Sequence, residues 1–322
     1  MFRSGMAAAA GVTVLLAMWG APAATMPDDP PPDWAFVIEQ KPDDAPPPAQ
    51  VTVPGSKLQL TPKAADDPFD VPDWFPEDHP KLPNVVLHGH APDLMACSYC
   101  HLATGVGSPE DTAVAGLPAA YIEEQFQEFR SGRRQCAVPE VEPCAQSMAK
   151  VASAISPDEL KQAAAYFAKL PYRTRVHVVE AAMVPKTHVY GLTLARIDGA
   201  GEEPIGQRIL ELPDDLDPFE NGDWRTTITA YVPPGSLARG KQLVDSGAGA
   251  QPCKACHGAQ LKGMGKVPPL AGRPPSYVVR QLYDIQHGFR HGPAVAAMLP
   301  EVAHLTPEDR IDIAAYLASL QP

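Results

Sequence analysis

Aromatic residues make up only 7% of the 322 positions, and no run beyond the N-terminal leader is long and apolar enough to cross a bilayer. Basic residues are also in deficit, 26 against 38 acidic, giving a net charge of −12 with no Lys/Arg stripe. Nucleic-acid binding therefore has no electrostatic footprint. No Ser-His-Asp constellation, phosphate loop or paired-carboxylate pattern stands out. The 45% hydrophobic content suffices for two modest cores, while 38 prolines place much of the chain in irregular segments. The first residues join Arg3 to an apolar run over 6–19 and an A-x-A site at Ala21–Ala23. This order is that of a signal peptide, expected over 1–23, with export to the periplasm. Residues 24–84 form a Pro-rich acidic arm with Trp34, Phe36, Trp74 and Phe75, expected to lie along the folded surface.

What the chain does have, it has twice. CSYCH at 97–101 returns as CKACH at 253–257. Shifting the chain against itself by 156 residues brings Tyr121 onto Tyr277, Gln125 onto Gln281, Gly132 onto Gly288 and Arg134 onto Arg290. The offset then falls to 150, matching Met148 with Met298, Pro157 with Pro307 and Tyr166 with Tyr316. The first copy thus holds six extra residues between Arg134 and Met148, and Cys136 and Cys144 lie among them. A disulfide clipping this enlarged loop is the economical reading, with a free redox pair as its rival.

Each copy reads as helical. Ser156-Pro157 with Glu159, and Thr306-Pro307 with Asp309, are capping boxes opening the last helix of each copy. The amphipathic segments around Tyr121 and Tyr277 are stopped by Gly132 and Gly288. Residues 172–235 are richer in β-branched side chains and imply a small β-hairpin bridge. The fold expected is mainly α, with helical domains at 85–171 and 236–322.

Two thiols and an imidazole in the order C-x-x-C-H fit three chemistries. A redox pair needs a βαβ context that neither copy has. A structural zinc needs four ligands, and one pentapeptide supplies three at most. Covalent c-type haem attachment needs both sulfurs and the histidine on one short turn, and this reading fits. Cys97, Cys100, Cys253 and Cys256 would carry the thioethers of two haems, with His101 and His257 as axial ligands. Met148 and Met298, 47 and 41 residues after those histidines, are the candidates for the sixth position. Met264, between two glycines, is read as wall rather than ligand.

With CKACHG, PPLAG, YVVRQLYDIQHGFRHG and AMLPEVAHLTPEDRIDIAAYLASL on the page, the chain resembles the class I cytochromes c, and more closely exported dihaem proteins made of two such domains in tandem. The resemblance covers about 85–171 and 236–322. It implies three to four helices around each haem, and a proline carbonyl, here that of Pro268, accepting the proximal imidazole N–H. The aligned position in the first copy is Thr112, which leaves the partner of His101 open. SLARGKQLVDSG matches the family's first helix, whereas KLPNVVLHGHAP is a short substitute.

The function implied is electron transfer from a dehydrogenase-type donor to an oxidase or another cytochrome, with the arm docking the chain to that dehydrogenase. Deletion of 24–84 is then expected to leave the haem spectra intact. A dihaem peroxidase is the alternative. His88 and His90 are alternative sixth ligands or surface histidines. Arg134 and Arg290 either neutralise haem propionates or are exposed helix ends. His287, His291 and His304 have no assigned role.

Overall fold

The computed structural model describes residues 29–38, 48–138, 146–249 and 251–322. The expected signal peptide and Cys144 lie outside them. The compact unit of residues 31–322 is described below.

Among its described residues the arm has a 3-10 turn at Asp33–Ala35 and a short helix, α1 (Pro62–Ala65), capped by Thr61. It lies over both helical copies and is anchored to them by a few buried side chains. Ala35 and Phe36 are 1% and 3% exposed and belong to the core of the second helical copy. Val51, Val53, Trp74 and Phe75 form a separate small core with Ala103 of the first copy and Trp224 of the bridge. Pro-rich chain cannot pair its backbone in a ladder, so its stability comes from such buried side chains, at about 1.5–3 kcal/mol each. Deleting 24–84 would remove most of the small cluster and Ala35 and Phe36 from the second-copy core, so a deletion also tests stability.

The first copy follows with α2 (Asn84–Leu87), α3 (Cys97–His101), α4 (Ala119–Arg130), α5 (Gln146–Ala154) and α6 (Pro157–Lys169). The capping box of α6 is formed: Ser156 Oγ accepts from the Glu159 N–H, and the Glu159 carboxylate accepts from the Ser156 N–H at 3.0 Å. Ile122, Phe126 and Phe129 on α4 pack against Leu160, Ala164 and Phe167 on α6 in one core.

The bridge is more than a hairpin. Its strands are β1 (Val176–Glu180), β2 (Met183–Pro185), β3 (Thr187–Tyr190), β4 (Thr193–Arg196), β5 (Glu202–Pro204) and β6 (Leu210–Pro213); a short α7 (Leu216–Glu220) then leads to β7 (Ile228–Val232). β3 and β4 make the hairpin, β2 pairs β5, and β7 pairs β1 in parallel and β6 antiparallel. A parallel pair needs a long crossover, so β1–β7 leaves no local sequence signal.

The second copy comprises α8 (Ser236–Ser246), α9 (Cys253–His257), α10 (Pro275–Gln286), α11 (Leu299–Val302) and α12 (Pro307–Ser319). α8 and α12 cross so closely that a Cβ on Gly240 would stand 1.9 Å from the Asp312 carbonyl oxygen. The one-turn α2 offers the first copy no such crossing; Leu82, just before it, packs instead against both the first core and the arm's own cluster.

The two copies meet across a local two-fold. Arg134 and Arg290 face each other in an antiparallel bridge, fixed by Gln135 N–H to Phe289 O and His291 N–H to Arg133 O, both 2.8 Å. Arg134 donates to Gln125 (2.9 Å) of its own copy and to Gln281 (3.2 Å) and Tyr277 (3.3 Å) of the other. Arg290 does the reverse, donating to Gln281 (2.8 Å), Gln125 (3.0 Å) and Tyr121 (3.0 Å). These arginines are therefore cross-copy ties, not exposed helix ends. Burial raises the Tyr277 phenol pKa, but the charges of Arg134 and Arg290 outweigh it and the net shift is downward.

Candidate haem-binding sites

Each pentapeptide forms one helical turn, α3 or α9. Residues i, i+3 and i+4 share a helix face, so Cys97, Cys100 and His101 point to one side, as do Cys253, Cys256 and His257. Both turns end in left-handed backbone at the same two aligned positions. In the first copy these are Leu102 (φ +63°) and Gly105 (φ +69°), in the second Gly258 (φ +84°) and Leu261 (φ +59°). Glycine and leucine have changed places while the path of the chain is kept.

The loop that follows is the same in both. Gly107 N–H returns to His101 O (3.1 Å) and Gly263 N–H to His257 O (2.9 Å). Each turn thereby brings a backbone carbonyl to the imidazole. His101 Nδ1 lies 2.9 Å from Thr112 O, and His257 Nδ1 lies 2.9 Å from Pro268 O. A carbonyl only accepts, so Nδ1 carries the proton and Nε2 keeps its lone pair. Thr112 serves as well as Pro268 because the contact is made by the backbone, which resolves what the sequence left open at His101. Burial pushes both imidazole pKa values down, against the opposing effect of the carbonyl bond, and so favours the neutral form that a metal ligand requires.

The thiols fit haem attachment better than the rival chemistries. Cys97, Cys100, Cys253 and Cys256 are all free. Burial pushes Cys97 up to about 12 and raises Cys100 and Cys253, whereas a reactive C-x-x-C pair needs a lowered thiol. Among the described residues no group of three or more His, Cys, Asp or Glu is placed to hold a metal ion, so a zinc cluster finds no support. Two thiols and an imidazole on one face of a helical turn, with Nε2 left unprotonated, are what a porphyrin tethered at its edge requires.

Met148 on α5 and Met298 at the end of a 3-10 turn (Ala296–Met298) are both half-buried. Met148 packs on the core that also takes Cys97, and Met298 on the core that takes Cys253. Met264 is 59% exposed, between Gly263 (φ +82°) and Gly265 (φ +61°). His88 and His90 lie 2.7 Å from Asp70 and 2.8 Å from Glu159 in exposed ion pairs. Cys136 is buried and disulfide-bonded.

Three buried arginines went unnoticed in the sequence. Arg175 donates to Gly107 O (2.5 Å), Arg280 to Pro109 O (2.6 Å) and Arg273 to Ala113 O (2.6 Å) and Ala115 O (3.1 Å). Together they clamp the loop that carries Thr112 O. Arg280 also donates to Ala35 O (2.8 Å), locking the arm to α10. The one signal was a charge inside the apolar stripe YVVRQLY.

Comparison with known proteins agrees with this geometry. The family described as cytochrome c matches residues 237–321. Cytochrome c-554(547) of Halothiobacillus neapolitanus is 33% identical over 95 residues, 27% of this chain and 99% of that protein. The thiosulfate dehydrogenase electron acceptor of Stutzerimonas stutzeri is 25% identical over 236 residues, 72% of this chain and 82% of the relative. A solved thiosulfate dehydrogenase from Marichromatium purpuratum aligns with 26% identity and a TM-score of 0.46, over 71% of this chain and 37% of that one. The chain belongs to the cytochrome c family. It is an electron-transfer protein with covalently bound haem c, which sets aside the peroxidase alternative. Among the described residues no helix is long and apolar enough to cross a membrane.

Proposed function

We propose that this protein is an exported, periplasmic carrier of two haems c, one in each of the helical domains at 85–171 and 236–322, with the 172–235 segment bridging them. The observation that supports two sites is the repeated imidazole–carbonyl pair, 2.9 Å in both copies. Cys97 and Cys100 tether one haem and Cys253 and Cys256 the other. His101 and His257 would ligate the iron through Nε2, and Met148 and Met298 would supply the second ligand through sulfur. When bound, haem supplies a one-electron Fe(III)/Fe(II) couple, whose potential methionine ligation raises. The chain's own part is to hold the imidazoles in one tautomer and the sulfurs in place, so that little rearranges as charge changes.

A dehydrogenase is the donor in this reading, and an oxidase or another cytochrome the acceptor. The name of the Stutzerimonas stutzeri relative favours a thiosulfate-oxidising donor. Cys136 pairs with Cys144, consistent with export.

The test is intact mass of the purified protein. Two covalent porphyrins are expected in the wild type, and one in each of Cys97→Ala/Cys100→Ala and Cys253→Ala/Cys256→Ala. A wild type carrying a single porphyrin contradicts the reading.

A further inference from the structure

The two attachment loops follow one backbone path but are not equally accessible. After α3, Ala103, Gly105 and Gly107 are buried and Leu102 and Val106 half-buried. Trp74, Phe75, Val51 and Val53 of the arm and Trp224 of the bridge pack on that loop, and Tyr99 Oη donates to Asp66 of the arm at 2.8 Å. After α9 no such cover exists among the described residues: Ala259, Gln260, Lys262, Met264, Gly265 and Lys266 are exposed. Cys256 is exposed as well, whereas its counterpart Cys100 is half-buried.

Charge divides the same way. Residues 97–117 contain Glu110 and Asp111 and no Lys or Arg; residues 253–273 contain Lys254, Lys262, Lys266 and Arg273 and no Asp or Glu. Arg273 is buried against the first copy, and Lys254 is paired with Asp245. Lys262 and Lys266 remain, exposed and with no ion pair among the described residues, on either side of Met264 at 59% exposure. In a chain of net charge −12 this is a basic rim around an apolar point. An acidic partner is repelled by the molecule as a whole and drawn to this spot, which orients it.

We propose that the redox partner docks on the second attachment loop, residues 259–266, and presents an acidic rim around an apolar centre, while the arm closes the corresponding loop of the first copy. This rests on the two-haem reading above. Electrons then enter or leave the molecule beside Cys256.

The test uses the holoprotein on an electrode coated with carboxylate-terminated alkanethiols diluted by methyl-terminated ones, which stands in for the partner. At low salt Lys262→Glu/Lys266→Glu is expected to lower interfacial electron transfer and bound coverage about 10-fold, with Met264→Asp in the same direction. Lys57→Glu/Lys81→Glu on the arm is expected to stay within about 2-fold of wild type. The proposal is overturned if the loop variant matches wild type or if the arm variant carries the loss. It is equally overturned by lysine-dependent binding to phosphatidylglycerol vesicles or lysine-dependent self-association at low salt, either of which names another occupant. Porphyrin content by mass, measured on the same samples, distinguishes these failures from failure of the two-haem reading.

Discussion

Residues 97–117 and 253–273 bend at the same points and deliver a carbonyl to an imidazole at the same 2.9 Å, yet almost everything around them differs. The first is covered by the arm and clamped by Arg175, Arg273 and Arg280; the second faces solvent. What must hold the imidazole is backbone, so it tolerates Thr112 for Pro268 and Leu102 for Gly258. What lies outside the loop is free to vary, and there the copies have specialised. The first lacks a counterpart to the eleven-residue α8 and draws on the arm and bridge instead. The second has α8 crossing α12 at Gly240 and leaves its loop bare.

Removing the cover is the strongest way to break this contrast. Trp74 is 4% exposed, and Trp74→Ala leaves a cavity over residues 102–107 at a cost of about 3–5 kcal/mol. Urea unfolding should show this loss, and limited proteolysis should cut the first loop as readily as the second.

A smaller contrast lies in titration. Glu110 and Asp111 stand where the second copy has Lys266 and Val267. Burial pushes Asp111 to about 7, helped by the charge of Glu110, and burial likewise pushes Glu211 to about 7. Glu211 accepts from Ser276 N–H at 2.9 Å through one oxygen, and the other is buried without a partner. An unfolded carboxylate titrates near about 4, so between about 4 and 7 the folded chain holds protons that the unfolded chain has released. Stability from these groups is complete below that window and falls as pH rises through it, by up to about 1.4 kcal/mol per pH unit for each group. Unfolding at pH 4 and pH 8 should show Glu211→Gln matching wild type at the lower value and exceeding it at the higher.

The least effect is expected at the histidines near the first site. His88→Ala and His90→Ala remove exposed ion pairs, cost less than about 1 kcal/mol and leave the visible spectrum unchanged.

The turns of the two pentapeptides and the capping boxes were legible in the sequence because each is local: a fixed spacing on one turn, or a cap three residues from its partner. The bridge was legible only as a hairpin, since the pairing of β1 with β7 spans some fifty residues. The arm was legible only in part for a related reason. Its composition shows that it cannot fold alone, but not that Phe36 would complete the core of α10, nor that Arg280 would hold Ala35 O. Arg273 and Arg280 leave little pattern, because the first-copy carbonyls they hold lie more than a hundred residues away. Arg134 and Arg290 aligned in the repeat, yet only the contact between copies explains why.

The central claim is that each copy completes its own metal site. Spectroelectrochemical titration with axial-ligand assignment, on Met148→Ala and on Met298→Ala, tests it most directly. Each variant is expected to convert one haem to high spin and shift its potential downward while the other titrates as in wild type. Two haems that stay low-spin in both variants, or that change together in either one, would contradict it.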